Sequence, residues 1–249
     1  MRLTSCGMTD VGCRRDHNED NFLINDQLQL YVVCDGMGGH AGGEVASAIA
    51  IHTIEESFSS LDWGSFESSD TDILAQEQIR FAVLLAGRKI YEVAQENPTF
   101  KGMGTTCVAM FVYENVAYLG HVGDSRCYLV RGTTVEQVTE DHSWVNEQIL
   151  KGKLTEEKAK NHPYKNIITR SLGFREAEEV DIIKVPIVPG DQLLLCSDGL
   201  SNLVEGEEMK ELLLEHSPQA AARQLINLAC ERGGDDNITV LILRVDTDV

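Results

Sequence analysis

Several features that mark broad classes of protein are missing from this sequence. No apolar run approaches the ~18 residues that a membrane-spanning helix needs, and the N-terminal segment has no apolar core of signal-peptide length. The seven cysteines are odd in number and include no Cys-x-x-Cys pair, which argues against a zinc or disulfide framework. Four of them lie in apolar runs, which predicts buried free thiols in a reducing compartment: Cys34, Cys107, Cys127 and Cys196. We therefore expect a cytoplasmic protein that does not engage a membrane.

Basic residues are also scarce, at 21 against 40 acidic residues, and the net charge is −19. Binding to a nucleic-acid backbone needs patches of Lys and Arg, so we expect no nucleic-acid partner. A soluble, self-repelling surface accounts for most of the negative charge. Only the carboxylates that sit in recurring short motifs need a further explanation.

Linkers, low-complexity tracts and internal repeats are absent from the 249 residues, of which 43% are hydrophobic. A chain of this size and composition can bury one large core, so we expect a single domain over residues 1–249. Residues 141–173 are polar and poor in aliphatic side chains. This pattern predicts a mostly helical excursion from the main body.

Five short acidic motifs are present, at residues 15–20, 35–39, 123–125, 197–199 and 235–237. Asp35, Asp124 and Asp198 each stand where an apolar, strand-like run stops. Carboxylates at strand ends can converge on one cleft, where they repel each other unless protons or hard cations neutralise them. All-oxygen sites suit Mg²⁺ or Mn²⁺. The motifs therefore predict a metal site that the fold assembles.

Two other chemistries have weaker support in the sequence. Residues 36–41 match a loose dinucleotide-binding fingerprint, but Asp35 would face the pyrophosphate and no alternating βαβ pattern follows. A Cys-x5-Arg nucleophile is excluded because no cysteine has Arg at the sixth following position.

The hydrophobic periodicity predicts helices in pairs between runs of consecutive strands. Helices are expected at 44–55, 72–97, 207–216 and 217–232, and strands at 22–25, 28–34, 105–113, 116–121, 127–130, 134–138, 180–185, 191–196 and 238–245. This order is typical of antiparallel sheets with helices stacked outside them.

Seven ordered motifs resemble those of the metal-dependent Ser/Thr protein phosphatases, the PPM or type 2C family, in its bacterial branch. They lie at residues 15–22, 35–43, 104–106, 123–126, 169–173, 197–199 and 236–239, and the similarity covers about residues 8 to 245. The resemblance implies an α+β fold, a four-layer α-β-β-α sandwich of two mainly antiparallel sheets flanked by helices. Residues 141–173 would be its variable flap subdomain.

The resemblance also implies the metal ligands. Asp35 would bridge two Mn²⁺ or Mg²⁺ ions, with the Gly36 carbonyl on the second ion. Asp198 and Asp236 would bind the first ion, and Glu19 would hold the second through water. Two further carboxylates would have lesser roles, Asp20 in the supporting shell and Asp124 beside Asp198 at a third metal site.

For catalysis, the resemblance implies that Arg15 grips the substrate phosphate and that a metal-bridging water attacks phosphorus without a covalent intermediate. Many eukaryotic family members carry His directly after Asp-Gly, whereas this chain has Met37. The general acid would then be His40 or a metal-bound water.

The implied activity is that of a protein serine/threonine phosphatase in signal transduction. Phosphorylated proteins, among them Ser/Thr kinases and their targets, would be its substrates, and we expect a monomer. The alternatives are a metal-stabilised binding or sensor protein with the same fold, or a nucleotide-binding protein built on the glycine loop. The presence of Arg15, Asp35, Asp198 and Asp236 favours the enzyme over the sensor.

Overall fold

The computed structural model describes residues 1–38, 42–61 and 71–246. Within these ranges the strands are β1 (Arg2–Asp10), β2 (Asn21–Asn25), β3 (Leu30–Cys34), β4 (Gly36–Met37), β5 (Gly104–Thr105), β6 (Cys107–Tyr113), β7 (Val116–Val122), β8 (Arg126–Arg131), β9 (Thr134–Gln137), β10 (Asp181–Pro186), β11 (Gln192–Cys196) and β12 (Ile238–Asp246). The helices are α1 (Gly42–Ser59), α2 (Thr71–Glu96), α3 (Trp144–Leu150), α4 (Glu156–Lys160), α5 (Asp198–Ser201), α6 (Gly206–Glu215) and α7 (Pro218–Glu231).

In the described part of the chain the strands form two five-stranded antiparallel sheets and one small pair. The first sheet has the order β1-β12-β11-β8-β9, the second has the order β10-β7-β6-β3-β2, and β4 pairs with β5. The N-terminal strand β1 runs along the whole of β12, with Arg2 opposite Asp246 and Asp10 opposite Ile238. Both chain ends are therefore held in the same sheet.

Three hydrophobic cores lie between the layers of helices and sheets. In β3, Tyr31 and Val33 point into the core between the two sheets, while Leu30, Val32 and Cys34 point to the core beneath α1 and α2. This alternation is the two-residue period of a strand that is buried on both faces. A third core packs α6 and α7 on the outer face of the first sheet. The predicted four-layer α-β-β-α architecture is confirmed.

Three local features differ from the sequence prediction. Strand β1 was not predicted, because its side chains are mostly polar and partly exposed. The strand expected at 105–113 is interrupted at Thr106, whose backbone N–H donates to the Asp35 carbonyl oxygen instead. Residues 141–173 contain only the short helices α3 and α4, so this segment is mostly loop.

The cysteines agree with the sequence prediction. All seven are free, and Cys34, Cys107, Cys127 and Cys196 are buried. None of the helices in the described ranges combines the length and apolarity that a membrane crossing requires.

Candidate metal centre

The ends of several strands from both sheets meet at one cleft of about 280 Å³. Asp35 follows β3, Asp124 follows β7, Asp198 follows β11 and Asp236 precedes β12. The cleft is lined by Arg15, Glu19, Asp35, Gly36, Met37, Gly38, Thr106, Asp124, Asn166, Ile168, Asp198 and Asp236. The cleft therefore brings together six of the charged residues that were predicted for the site.

The backbone of Asp35 is fixed by the Gly-Thr-Thr motif on the neighbouring strands. Its N–H donates to Thr106 Oγ1 at 2.9 Å, and its carbonyl oxygen accepts from Thr105 Oγ1 at 2.9 Å. The Thr106 hydroxyl also contacts Ser125 Oγ at 2.7 Å, next to Asp124. The motifs at 35, 105 and 124 thus hold each other in register, which explains why a break in β-structure falls at Thr106.

Close backbone packing brings Glu19 to Gly36. The Gly36 N–H donates to the Glu19 carbonyl oxygen at 3.2 Å. A Cβ on Gly36 would lie 2.2 Å from the Gly43 carbonyl oxygen and 2.5 Å from the Glu19 carbonyl oxygen, so only glycine fits. A Cβ on Gly43 would lie 2.8 Å from Glu19 Oε1. These glycines allow the start of α1 to approach the Glu19 carboxylate.

Asp20 is a buried carboxylate just outside the cleft. Its Oδ2 accepts from Ser197 Oγ at 2.7 Å and from Thr239 Oγ1 at 2.6 Å, whereas its Oδ1 has no hydrogen-bond partner. Burial is the main reason that its pKa is raised, and Asp198 and Asp236 raise it further. Asp20 therefore ties the segment before β2 to the Ser197–Asp198 turn.

Asn237 is a positioning residue whose role the sequence did not reveal. Its Oδ1 accepts from the Glu19 N–H at 2.8 Å, and its Nδ2 donates to the carbonyl oxygens of Val11 and His17 at 3.0 and 2.9 Å. All three partners are more than 200 positions away. Asn237 therefore clamps the segment that carries Arg15 and Glu19 next to Asp236.

The carboxyl groups of the cleft disfavour the ionised form of one another. Burial and the neighbouring carboxylates Asp20 and Asp198 hold the pKa of Asp35 well above its usual range. Burial, together with Asp198, raises the pKa of Asp124 to about 8. Burial and Asp236 also raise the pKa of Asp198, which lies close enough to Asp35 to share a proton with it. The site therefore carries more negative charge than its own surroundings neutralise.

Arg15 is a positively charged side chain that lines this cleft. Its guanidinium donates to Asp236 Oδ2 at 2.6 Å, and both side chains are partly exposed at the mouth of the cleft. The adjacent Asp235 points away, with a side chain 74% exposed that pairs with Arg14 at 3.7 Å. Of the two neighbouring aspartates, Asp236 is the one that lines the cleft, as the motif predicted.

Two residues of the segment 141–173 reach the cleft and were missed by sequence reasoning. Asn166 and Ile168 line it together with Arg15 and Glu19. The nearest motif in the sequence is the one at residues 169–173, which directly follows these two residues. Met37 also lines the cleft, while His40, the predicted general acid, lies outside the described residues.

The donor set fits hard divalent cations. Among the described residues, no three His, Cys, Asp or Glu side chains stand in the compact shell of a bound ion. Asp198 Oδ1 is buried without a hydrogen-bond partner. An uncompensated buried carboxylate oxygen calls for a proton or a cation, and carboxylate and carbonyl oxygens are the ligands that Mg²⁺ and Mn²⁺ prefer.

Comparison with known proteins identifies the family of this chain. A model of the family described as Protein phosphatase 2C matches residues 13–230. The serine/threonine phosphatase stp of Listeria welshimeri is 40% identical over 243 residues, which cover 94% of this chain and 93% of that protein.

Solved structures agree in both fold and sequence. The crystal structure of the Mycobacterium tuberculosis serine/threonine phosphatase PstP/Ppp matches with a TM-score of 0.89 at 34% identity, over 98% of this chain and 99% of that one. The catalytic domain of the serine threonine protein phosphatase PstP in complex with 2 manganese ions matches with a TM-score of 0.86 at 33% identity, over 98% and 99% of the two chains. The chain therefore belongs to the protein phosphatase 2C family and is a serine/threonine phosphatase.

Proposed function

We propose that this phosphatase holds two divalent cations, Mn²⁺ or Mg²⁺, in the cleft at the strand ends. Asp35 would be shared by both ions, Asp198 and Asp236 would complete the first, and the Gly36 carbonyl with Glu19 would serve the second. The observation that carries the proposal is the convergence of Asp35, Asp124 and Asp198, each with a raised pKa, in one cleft. A likeness to a manganese-bound phosphatase domain supports it.

Asp20 and Asp124 would have secondary roles at this centre. Asp20 bonds to Ser197 and Thr239 and stays outside the cleft lining, which suits a residue that orients the ligands. Asp124 lines the cleft beside Asp198, whose charge helps to raise the pKa of Asp124. This placement supports a third, weaker cation between these two carboxylates.

Arg15 would bind the phosphate of the substrate. Its side chain is 49% exposed at the mouth of the cleft and its guanidinium is already held there by Asp236. A guanidinium can make two parallel, charge-assisted hydrogen bonds to a phosphate. With a cation bound by Asp236, the Arg15 donors would be available for that phosphate.

The cleft favours direct hydrolysis over a covalent intermediate. When bound, the two cations supply hydroxide at neutral pH and neutralise the phosphate's charge. Among the described residues that line the cleft there is no Cys, Ser or His side chain to act as a nucleophile. The Thr106 hydroxyl is engaged by the Asp35 N–H and by Ser125. The role of His40 as general acid stays a prediction.

The substrates would be phosphorylated proteins, with Ser/Thr kinases and their targets as the candidates. A larger cleft of about 830 Å³ adjoins the metal centre, and Asp124 and Asp198 line both. Its other walls come from residues 137–141, from α3 and α4, and from the segment between α5 and α6. This cleft has the size and position to receive the polypeptide on either side of a phosphorylated residue. We further propose a cytoplasmic monomer, a single domain over 1–249 with residues 141–173 as its flap.

The neighbouring pair Asp235 and Asp236 provides a matched test. Asp236→Ala should lower metal-dependent hydrolysis of a phosphothreonine peptide at least ~100-fold, since even residues that only orient metal ligands are worth ~10–100-fold. Asp235→Ala removes only an exposed ion pair with Arg14, so its rate should stay within about threefold of the wild type. Equal rates for the two variants would contradict the proposed ligand set.

A further inference from the structure

Two cysteines from opposite ends of the chain meet beside the cleft. Cys13 lies in the loop after β1 and Cys230 lies in the last turn of α7. The Cys13 thiol donates to the Cys230 carbonyl oxygen at 3.7 Å, and it lies close enough to the Cys230 thiol to help raise the pKa of Cys230. Cys13 is exposed and Cys230 is partly buried. Such a pair differs from the four cysteines enclosed in the cores.

The contact lies where two functional segments cross. The Cys13 N–H donates to the Gly234 carbonyl oxygen at 2.8 Å. A Cβ on Gly234 would lie 2.9 Å from Cys13 Sγ, so the two backbones pack closely. Arg15 follows Cys13 by two residues and Asp236 follows Gly234 by two residues. A covalent bond at this point would therefore join the segment of Arg15 to the segment of Asp236.

The two thiols have different environments. Partial burial, the Asp10 carboxylate and the Cys13 thiol raise the pKa of Cys230 to about 11. Cys230 is therefore protonated at neutral pH, and its Sγ lies 4.0 Å from Asp10 Oδ1. Because Cys13 is exposed and Cys230 is partly buried, Cys13 is the better placed of the two to meet a small oxidant from solvent.

We propose that Cys13 and Cys230 form a peroxide-reactive thiol pair that closes a reversible disulfide beside the catalytic cleft. The Cys13 thiolate attacks a hydroperoxide, ROOH, whose O–O bond breaks to give ROH after protonation and leaves Cys13 as a sulfenic acid. The Cys230 thiol then attacks that sulfur, an S–S bond forms, and water leaves. The two thiols lose two electrons, and the peroxide gains them. A dithiol reductant returns both cysteines to the free form.

Closing the disulfide should lower turnover, and this part rests on the proposed roles of Arg15 and Asp236. An S–S bond is ~2.05 Å long, so Cys13 would move towards α7 and be held there. Arg15 then has less freedom to leave Asp236 and hold a substrate phosphate. Coupling between linked sites is typically worth about 5–150-fold, and we expect turnover to fall at least about fivefold.

The disulfide itself is tested without any activity measurement. The full-length, metal-loaded protein is treated with hydrogen peroxide, alkylated, digested without reductant and mapped by mass spectrometry. We expect a linked Cys13–Cys230 peptide in the wild type and in Cys6→Ser, a control at the other partly buried thiol, and none in Cys13→Ser or Cys230→Ser. Absence of the linked peptide, or linkage through other cysteines, would overturn the proposal.

The consequence for turnover is tested on the same samples. Hydrolysis of a phosphothreonine peptide by oxidised wild type should fall and should return with a dithiol, while Cys230→Ser should be unaffected by peroxide. A linked protein with unchanged turnover would overturn the regulatory role and leave the disulfide. Lack of turnover in the reduced wild type would instead refute the proposed function, and the peptide map would still decide whether the thiol pair reacts.

Discussion

Asp236 and Asn237 show, at the scale of single residues, how two neighbours divide the work of the site. Asp236 turns its carboxylate to the cleft and to Arg15 at 2.6 Å. Asn237 turns inward and uses its amide to bond to Glu19, Val11 and His17. One side chain supplies charge, and the next fixes the distance between the segments that supply it.

Replacement of Asn237 by Asp should damage the site without adding a ligand. Asn237→Asp loses both donors to Val11 and His17 and places a carboxylate against their carbonyl oxygens. Unsatisfied buried polar groups cost about 1–3 kcal/mol, and we expect a loss of this size in the free energy of unfolding, measured with urea. Asn18→Asp, which loses one exposed donor to Thr9, should stay within about 0.5 kcal/mol. Equal stability of the two variants would contradict the clamp.

The sequence predicted Asp35, Asp124 and Asp198 because each one stands in a recognisable motif at a strand end, and the family resemblance implied Arg15, Glu19 and Asp236. In the structure Asp236 lines the cleft, whereas the adjacent Asp235 is exposed. The role of Asn237 was not predictable from local sequence, because its partners come from the opposite end of the chain. Asn166 and Ile168 were missed for a related reason, since only the fold brings that loop over the cleft.

At the scale of elements, the strands that contain an apolar or alternating run were predicted, and β1, which lacks a clear one, was missed. The run of β3 is apolar at every position and was found. Strand β1 is a partly exposed edge strand whose pairing with β12 spans most of the chain, so its stability comes from hydrogen bonds that leave no apolar pattern. The break between β5 and β6 was missed because Thr106 bonds to Asp35 rather than continuing the strand.

A partly buried ion pair joins the base of the flap to the first sheet. Arg126 donates to Asp141 through Nε at 2.9 Å and Nη2 at 2.6 Å, next to Asp124. Arg126→Ala leaves this partly buried carboxylate with Gln137 as its remaining side-chain donor, and a polar group that loses its partner costs about 1–3 kcal/mol. We expect this loss in urea unfolding, against about 0.3–0.5 kcal/mol for Arg88→Ala in the exposed Arg88–Glu92 pair. A comparable small effect for both would show that the flap is held by other contacts.

At the scale of the whole molecule, the four-layer sandwich places both sheets' strand ends around one acidic cleft. Antiparallel sheets with outer helices were predictable from the order of strands and paired helices, and the four-layer arrangement was implied by the family resemblance. The electrostatic state of the cleft was not, because it depends on burial and on distances between residues far apart in sequence. A protein of net charge −19 that adds buried carboxylates at one point is stabilised most by cations that bind there.

The raised pKa values predict how stability without metal depends on pH. Asp124 has its pKa raised from 3.8 to about 8, and that of Asp35 is also raised. Between pH 3.8 and about pH 8 these groups bind more protons in the folded state than in the unfolded state. The free energy of unfolding therefore falls as pH rises through this window. Divalent cations bind the deprotonated groups and should restore it.

Melting curves in EDTA and in Mn²⁺ at about pH 5.5 and about pH 8 test this linkage. We expect the melting temperature in EDTA to be lower at the higher pH and the Mn²⁺-induced increase to be larger there. Asp198→Asn should show a smaller Mn²⁺-induced increase at both values. A metal effect that is the same at the two pH values would contradict the assignment of the carboxylates as ligands.

The most direct test of the account is the rate of phosphothreonine-peptide hydrolysis by wild type and Asp198→Asn over a titration of Mn²⁺ and Mg²⁺, with EDTA as the zero point. The account predicts no turnover in EDTA, saturable turnover with either or both cations, and a variant that needs far more metal and reaches a much lower rate. Turnover by the wild type in EDTA, or an unchanged metal dependence in Asp198→Asn, would contradict it.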